Sequence, residues 1–123
     1  MVVIKILKSS EDYLETILSL YKKKGYVRSI DIANELSFSK ASVSVAMKNL
    51  RENGYISIDS KGYITLEEKG LEIAQHVLEK HELLQEFLEK IGVSKENAEK
   101  DACQIEHVIS EETFNALKNF KMP

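Results

Sequence analysis

The residues best equipped for chemistry sit in one short stretch, Asp101-Ala-Cys-Gln-Ile-Glu-His107. On a helix, Cys103, Glu106 and His107 stand at i, i+3 and i+4, so a thiolate, a carboxylate and an imidazole share one face within about a turn. These are the donors that hold divalent transition metals. Asp12 and Glu15, at i and i+3 near the chain start, offer two further carboxylates, and His81, with Glu82 and Gln85 nearby, is a third source of ligands. Each has a plainer reading. A lone cysteine is commonly a small buried hydrophobe, Glu106 and His107 could be surface residues, and Asp12 and Glu15 could complement the dipole of their own helix. His81 could be a satisfied histidine on a helix seam. His76 has no suggestive neighbour and reads as a surface residue.

The elements that must position these groups are mostly helical. Over residues 9 to about 24, Leu14, Ile17, Leu18 and Tyr21 fall at i, i+3, i+4, i+7, the stripe of an amphipathic helix that avoids Asp12 and Glu15. Ser29 is expected to cap a short helix through Ile32, Ala33 and Leu36. Ser37-Phe38-Ser39 forms a turn, and Ser39 caps a helix in which Val43, Met47 and Leu50 face inward until Gly54. The period then changes to 2, with Ile56 and Ile58 answered by Ile64 and Leu66 across Ser60-Lys61-Gly62, a β-hairpin. Thr65-Leu66-Glu67-Glu68 has the form of a capping box leading into a helix of about 25 residues that ends at Gly92. Ser94 starts a helix ending near Ile109, and Ser110 a last one through Phe114, Leu117 and Phe120.

Two helices joined by a three-residue turn and followed by a hairpin form the order of a winged helix-turn-helix. Burying Val43, Met47 and Leu50 turns Ala41, Ser44, Val45 and Lys48 outward, a face of small, hydroxyl and basic groups suited to the major groove. Ser39, Lys40 and Ser42 add donors at the helix start, where backbone N–H groups already favour phosphate. Lys61 in the wing and Arg28 before the second helix are expected to contact phosphate. Taken singly, such residues could equally be a solvated surface. The expected fold is therefore mostly α with one small hairpin: a winged helix over residues 1–66 and a helical domain carrying the candidate metal ligands over 67–123.

Charge follows the same division. Residues 1 to 63 carry ten Lys and Arg against seven Asp and Glu, whereas residues 64 to 123 carry seven against thirteen, within a net charge of −3. A basic first half and an acidic second half suggest a division of labour. At 123 residues with 43% hydrophobic and 30% charged side chains, the chain has enough core to fold without staples. No apolar run approaches the roughly 20 residues of a membrane span. The short apolar opening, residues 1–7, interrupted by Lys5, lacks a signal-peptide cleavage site. The cytoplasm is the expected compartment, with no membrane partner, and the single Cys103 forms no internal disulfide.

The segments Ser10-Glu-Asp-Tyr-Leu-Glu-Thr-Ile17, Gly25-Tyr-Val-Arg-Ser-Ile-Asp-Ile-Ala33, Lys80-His-Glu-Leu-Leu84 and Ala102-Cys-Gln-Ile-Glu-His107 together resemble the diphtheria-toxin-repressor and manganese-transport-regulator family. The resemblance runs through nearly the whole chain. It implies a metal-dependent repressor, not an enzyme, that dimerises through its helical second half and binds palindromic operator DNA, with Mn²⁺ or Fe²⁺ as co-repressor. Carried over by position, Asp12, Cys103, Glu106 and His107 match primary ligands, while Glu15 and His81 match ligands of the manganese-responsive branch. Cys103 resembles the iron branch and Asp12 with Glu15 the manganese branch, so the site is a hybrid. Gln85 and Glu99 stand where the iron branch has ancillary ligands, and Val45 replaces a DNA-reading glutamine of some members. The sequence ends at Pro123, so the SH3-like domain of longer relatives is expected to be missing. Two other readings compete: a metal-independent winged-helix regulator sensing a small molecule or redox state through Cys103, and an enzyme using Cys103 and His107 as nucleophile and base, for which no orienting third group is evident.

Overall fold

The computed structural model describes residues 8–120; the apolar opening of residues 1–7 and Pro123 lie outside the described residues. Six helices and one hairpin follow in order: α1 (Lys8–Lys24), α2 (Ser29–Leu36), α3 (Lys40–Glu52), β1 (Ile56–Ile58), β2 (Ile64–Leu66), α4 (Glu68–Lys90), α5 (Lys95–Ile105) and α6 (Glu111–Asn119). The chain divides into two compact units, residues 1–75 and 76–123, with the division inside α4.

In the first unit, α1 packs on α2 and β2, α2 on α3, and α3 on β1. Leu14, Ile17, Val27, Ile32, Val43 and Met47 are almost fully enclosed, and Ile56 and Ile64 come in from the hairpin. The strands are antiparallel, pairing Ile56 with Leu66 and Ile58 with Ile64, so alternate residues face the core as the period of 2 requires. The turn between helices is made by Ser37, whose φ of 57° carries the chain out of α2, and the Ser39 hydroxyl caps α3 by accepting from the Ser42 amide at 3.1 Å.

Three local expectations are corrected here. Tyr21 is 55% exposed, and Leu20 is buried in its stead. Tyr21 lies on the rim of an open groove of about 350 Å³ lined by Ile17, Leu18, Ile64, Leu66 and Leu71, so its ring stays in water. Ser29 is the first residue of α2, and the helix start is closed by Asp31, whose carboxylate accepts from the Arg28 amide at 2.9 Å. Thr65 makes no capping box: it is paired with Ser57 in mid-hairpin, and α4 begins at Glu68, because the Glu67 amide is taken by the Tyr55 carbonyl at 3.0 Å. Strand pairing outcompetes a cap at that point.

In the second unit Val77, Leu84, Ala98, Ala102 and Phe114 are buried. Ser94 caps α5 and Ser110 caps α6 through their hydroxyls, as expected. His76, expected to be an isolated surface residue, instead holds α6: its Nε2 lies 2.9 Å from Glu111 Oε1, and its ring meets Phe114 edge-on at 5.6 Å. Lys80 reaches the same carboxylate at 3.0 Å and also lies 5.8 Å from the Phe114 ring. The Glu111 carboxyl is therefore held below the usual carboxylate range, first by His76 and then by Lys80.

That depression has a pH consequence. A carboxylate whose folded pKa is lowered adds stability above its unfolded value, and the gain is lost as pH falls through the folded one. Glu111 is 61% exposed, so solvent screening limits the contribution to about 0.5–1 kcal/mol. Glu111→Gln should thus be slightly less stable than the parent in urea at pH 7, and the two should converge by pH 3. A difference that persists at pH 3 would show that the charge is not what stabilises the pair.

Candidate functional site

The metal-ligand candidates of the second unit come from α4 and from the end of α5. Buried Ala98 and Ala102 seat one face of α5, which turns Cys103, half-buried, toward His81 of α4. The helix stops at Ile105, earlier than the expected end near Ile109, because Ser110 must adopt the extended conformation of an N-cap (φ −72°, ψ 158°). Glu106 nonetheless keeps right-handed helical angles, and its amide bonds the Ala102 carbonyl at 3.0 Å. The helical register between Cys103 and Glu106 survives, and His107 lies in the turn that follows.

The donor atoms of His81, Cys103 and Glu106 all lie within 4.8 Å of one another. The Glu106 side chain is fully enclosed, with Oε2 3.0 Å from His81 Nδ1. Its Oε1 lies 3.2 Å from His107 Nε2, a contact that lacks hydrogen-bond alignment, and among the described residues this buried oxygen has no hydrogen-bond partner. A buried carboxylate oxygen left in that state is costly unless something positive faces it. The His81 pKa is pushed up to about 10, first by its hydrogen bond with Cys103 and then by Glu106. A protonated imidazole thus balances the anionic cluster, and a cation bound there must displace that proton. Sulfur, imidazole nitrogen and carboxylate oxygen around a single point fit a divalent transition ion.

The structure brings His81, Cys103 and Glu106 together and sets His107 against the second Glu106 oxygen. Asp12 and Glu15 lie in the first unit, one turn apart on α1. Asp12 is partly exposed with Lys8 Nζ 3.2 Å away, and one Glu15 carboxylate oxygen is buried. Gln85 is half-buried on α4 one turn beyond His81, and Glu99 is exposed on α5. Sequence reasoning left the His81–Glu106 pairing open, since 25 residues separate the two. It missed the His76–Glu111–Lys80 network altogether.

On the first unit, Ser39, Lys40, Ala41, Ser42, Ser44, Val45 and Lys48 are all exposed, while Val43, Met47 and Leu50 are buried. Val45 is 62% exposed on the outward face of α3. The first turn of α3 contains no acidic residue, so neither its dipole nor Lys40 is neutralised locally. Lys61 is exposed at the hairpin tip, and Arg28 lies beside it.

A winged helix with a basic third helix, joined to a helical unit that clusters a thiol, an imidazole and a buried carboxylate, defines a DNA-binding regulator with a metal-binding domain. Residues 5–71 match the iron dependent repressor N-terminal DNA binding domain, and residues 67–121 match the iron dependent repressor metal binding and dimerisation domain. The chain belongs to the iron dependent repressor family, whose members are metal-dependent DNA-binding transcriptional repressors.

Among its relatives, the HTH-type transcriptional regulator MntR of Geobacillus kaustophilus is 41% identical over 109 residues, covering 89% of this chain and 75% of that protein. An uncharacterized HTH-type transcriptional regulator of Methanocaldococcus jannaschii is 35% identical over 115 residues, 92% of either chain. The crystal structure of T. acidophilum IdeR matches with a TM-score of 0.79 at 28% identity, over 94% of this chain and 54% of that one. A manganese-dependent transcriptional repressor in complex with manganese, at 23% identity and a TM-score of 0.81 over 89% and 50% of the two chains, shares the fold. The chain spans about half the length of these solved structures. Among the described residues, no helix is long and apolar enough to cross a membrane.

Proposed function

We propose that the chain works in the cytoplasm as a homodimeric repressor whose hold on palindromic operator DNA is switched on by Mn²⁺ or Fe²⁺. The observation that carries this reading is the buried Glu106 oxygen without a hydrogen bond, with His107 Nε2 3.2 Å away and His81 and Cys103 around the same carboxylate. Asp12, Cys103, Glu106 and His107 form the ligand set, with Glu15 and His81 completing it. Asp12 and Glu15 belong to the DNA-binding domain, residues 1–66, and the others to the metal-binding and dimerisation domain, residues 67–123, with the boundary where β2 ends at Leu66.

The bound ion supplies positive charge that neutralises the converging carboxylates and thiolate. The chain's own residues then set the response: shared ligation from both domains favours one spacing of the two α3 helices in the dimer. DNA half-sites about one helical turn apart reward that spacing. Ser39, Lys40, Ala41, Ser42, Ser44, Val45 and Lys48 face the groove, and Lys61 reaches phosphate from the wing. As a switch, the coupling amounts to about 1–3 kcal/mol, so operator DNA tightens metal binding by the factor that metal tightens DNA binding.

Mn²⁺ is supported as one of the two ions by relatives named MntR, and Cys103 adds a softer donor that suits iron. Chelator-treated protein should bind DNA, selected from a random pool in the presence of Mn²⁺, about 5- to 150-fold more tightly when Mn²⁺ or Fe²⁺ is restored. Affinity indifferent to either metal but responsive to oxidation of Cys103 would favour a redox regulator instead.

A further inference from the structure

A stack of side chains runs from the end of α1 through the segment before α2 to the wing, and apart from the phosphate contact expected of Arg28 the metal and groove-reading scheme does not use it. Lys24 Nζ lies 5.1 Å from the Tyr26 ring centroid; Tyr26 meets Tyr63 edge-on at 6.0 Å; the Arg28 guanidinium lies over Tyr63 at 4.4 Å. One Arg28 Nη then donates to the Lys61 carbonyl at 2.7 Å, across 33 residues of sequence. The turn it grips is itself closed by Asp59, whose Oδ1 accepts from the amides of Lys61 and Tyr63, both at 2.9 Å, while Gly62 takes a φ of 87° that a side chain would strain. The Val27 carbonyl accepts from the Ile64 amide at 2.8 Å, so the segment before α2 runs beside β2.

Yet Tyr26 is 48% and Tyr63 36% exposed, and the turn has few apolar contacts of its own to hold it. A two-stranded hairpin with three residues in each strand is marginal by itself in water. Asp59 shapes the turn from within, and the planar fork of Arg28 ties its tip to the segment before α2: one edge bonds a carbonyl while the flat face stacks on a ring.

We propose that Arg28 and Tyr63 form a latch that holds the wing at a set position relative to α3, making Arg28 a positioning residue for Lys61 rather than a phosphate contact in its own right. The role rests on the DNA-reading function argued above, but the latch itself can be observed without DNA. Lysine at position 28 keeps the charge and loses the fork, so charge and position separate cleanly.

In the full chain without DNA, Arg28→Lys and Tyr63→Ala should speed amide hydrogen exchange of residues 61–64, while Tyr63→Phe, which keeps the ring, should retain the parental protection. In metal-loaded protein on selected DNA, Arg28→Lys should weaken binding about tenfold, the equivalent of one good hydrogen bond, with the salt dependence of affinity unchanged. If Arg28→Lys instead restores parental affinity and Arg28→Ala lowers the salt slope by about 0.9, the guanidinium is a direct phosphate contact and the latch is wrong. Unaltered exchange at residues 61–64 in Arg28→Lys overturns it equally, whatever the protein does with DNA.

Discussion

Metal should no longer strengthen DNA binding in Asp12→Ala or in His107→Ala, and both proteins should stay folded. Asp12 is partly exposed on the surface of α1, so its loss should leave the fold intact. The His107 side chain is 2% exposed, and its removal should cost some stability without unfolding the second unit, since the His81–Glu106 pair stays in place at 3.0 Å. Function should be lost if both are ligands as proposed, because a ligand contributes far more than a surface charge. Groups that merely hydrogen-bond a metal ligand lower affinity about 10- to 100-fold when removed, so losing a direct ligand should cost at least about 100-fold. At a Mn²⁺ concentration that just saturates the parent, the variants should then be largely unloaded.

Fluorescence anisotropy of labelled DNA with and without Mn²⁺, beside thermal melts of the same samples, separates the two effects. Asp12→Ala is the sharper test, since it alone asks whether the DNA-binding domain contributes to the ion. An Asp12→Ala protein with the parental metal response would confine the site to His81, Cys103, Glu106 and His107, and the proposed coupling to DNA would have no physical carrier.

Gly70→Ala should be the most damaging single methyl in the first unit. A Cβ on Gly70 would stand 2.1 Å from the Tyr55 carbonyl oxygen and 3.0 Å from its carbon, both backbone atoms. That carbonyl cannot swing aside, because it accepts the Glu67 amide that ends the hairpin, and Lys69 is meanwhile drawn over the Tyr55 ring at 4.2 Å. Either α4 moves off the loop before β1 or the pairing at Glu67 breaks. Overpacking of that kind costs about 3 kcal/mol or more, which lowers the melting temperature by on the order of 10 °C. Gly62→Ala is the control: its Cβ would meet open space, so only the strain of a positive φ remains, about 1 kcal/mol. Equal losses at the two positions would mean that contact with Tyr55 is not what makes Gly70 necessary.

Much of the architecture was readable from local pattern. Val43, Met47 and Leu50 are buried and Ser44, Val45 and Lys48 exposed because a helix of 3.6 residues per turn leaves no other arrangement once one face finds a core. The caps at Ser39, Ser94 and Ser110 were legible for the same reason, as a hydroxyl and an amide three residues apart meet wherever a helix starts. Failures came where a local signal had a rival in space. Thr65 through Glu68 spells a cap, but the strand opposite claimed Thr65 first. Tyr21 continues the stripe of α1, but the groove beside β2 leaves that end uncovered.

By itself, the order of residues determined which groups share a turn: Cys103 with Glu106, Asp12 with Glu15, and the outward face of α3. Those relations span four residues or fewer and follow from helix geometry. Only the tertiary structure decided that His81 reaches Glu106, that His76 and Lys80 meet on Glu111, and that Arg28 grips the carbonyl of Lys61. These pairs are 25 to 35 residues apart, and the chain entropy between them leaves their meeting to packing of the helices and hairpin, which no spacing rule encodes.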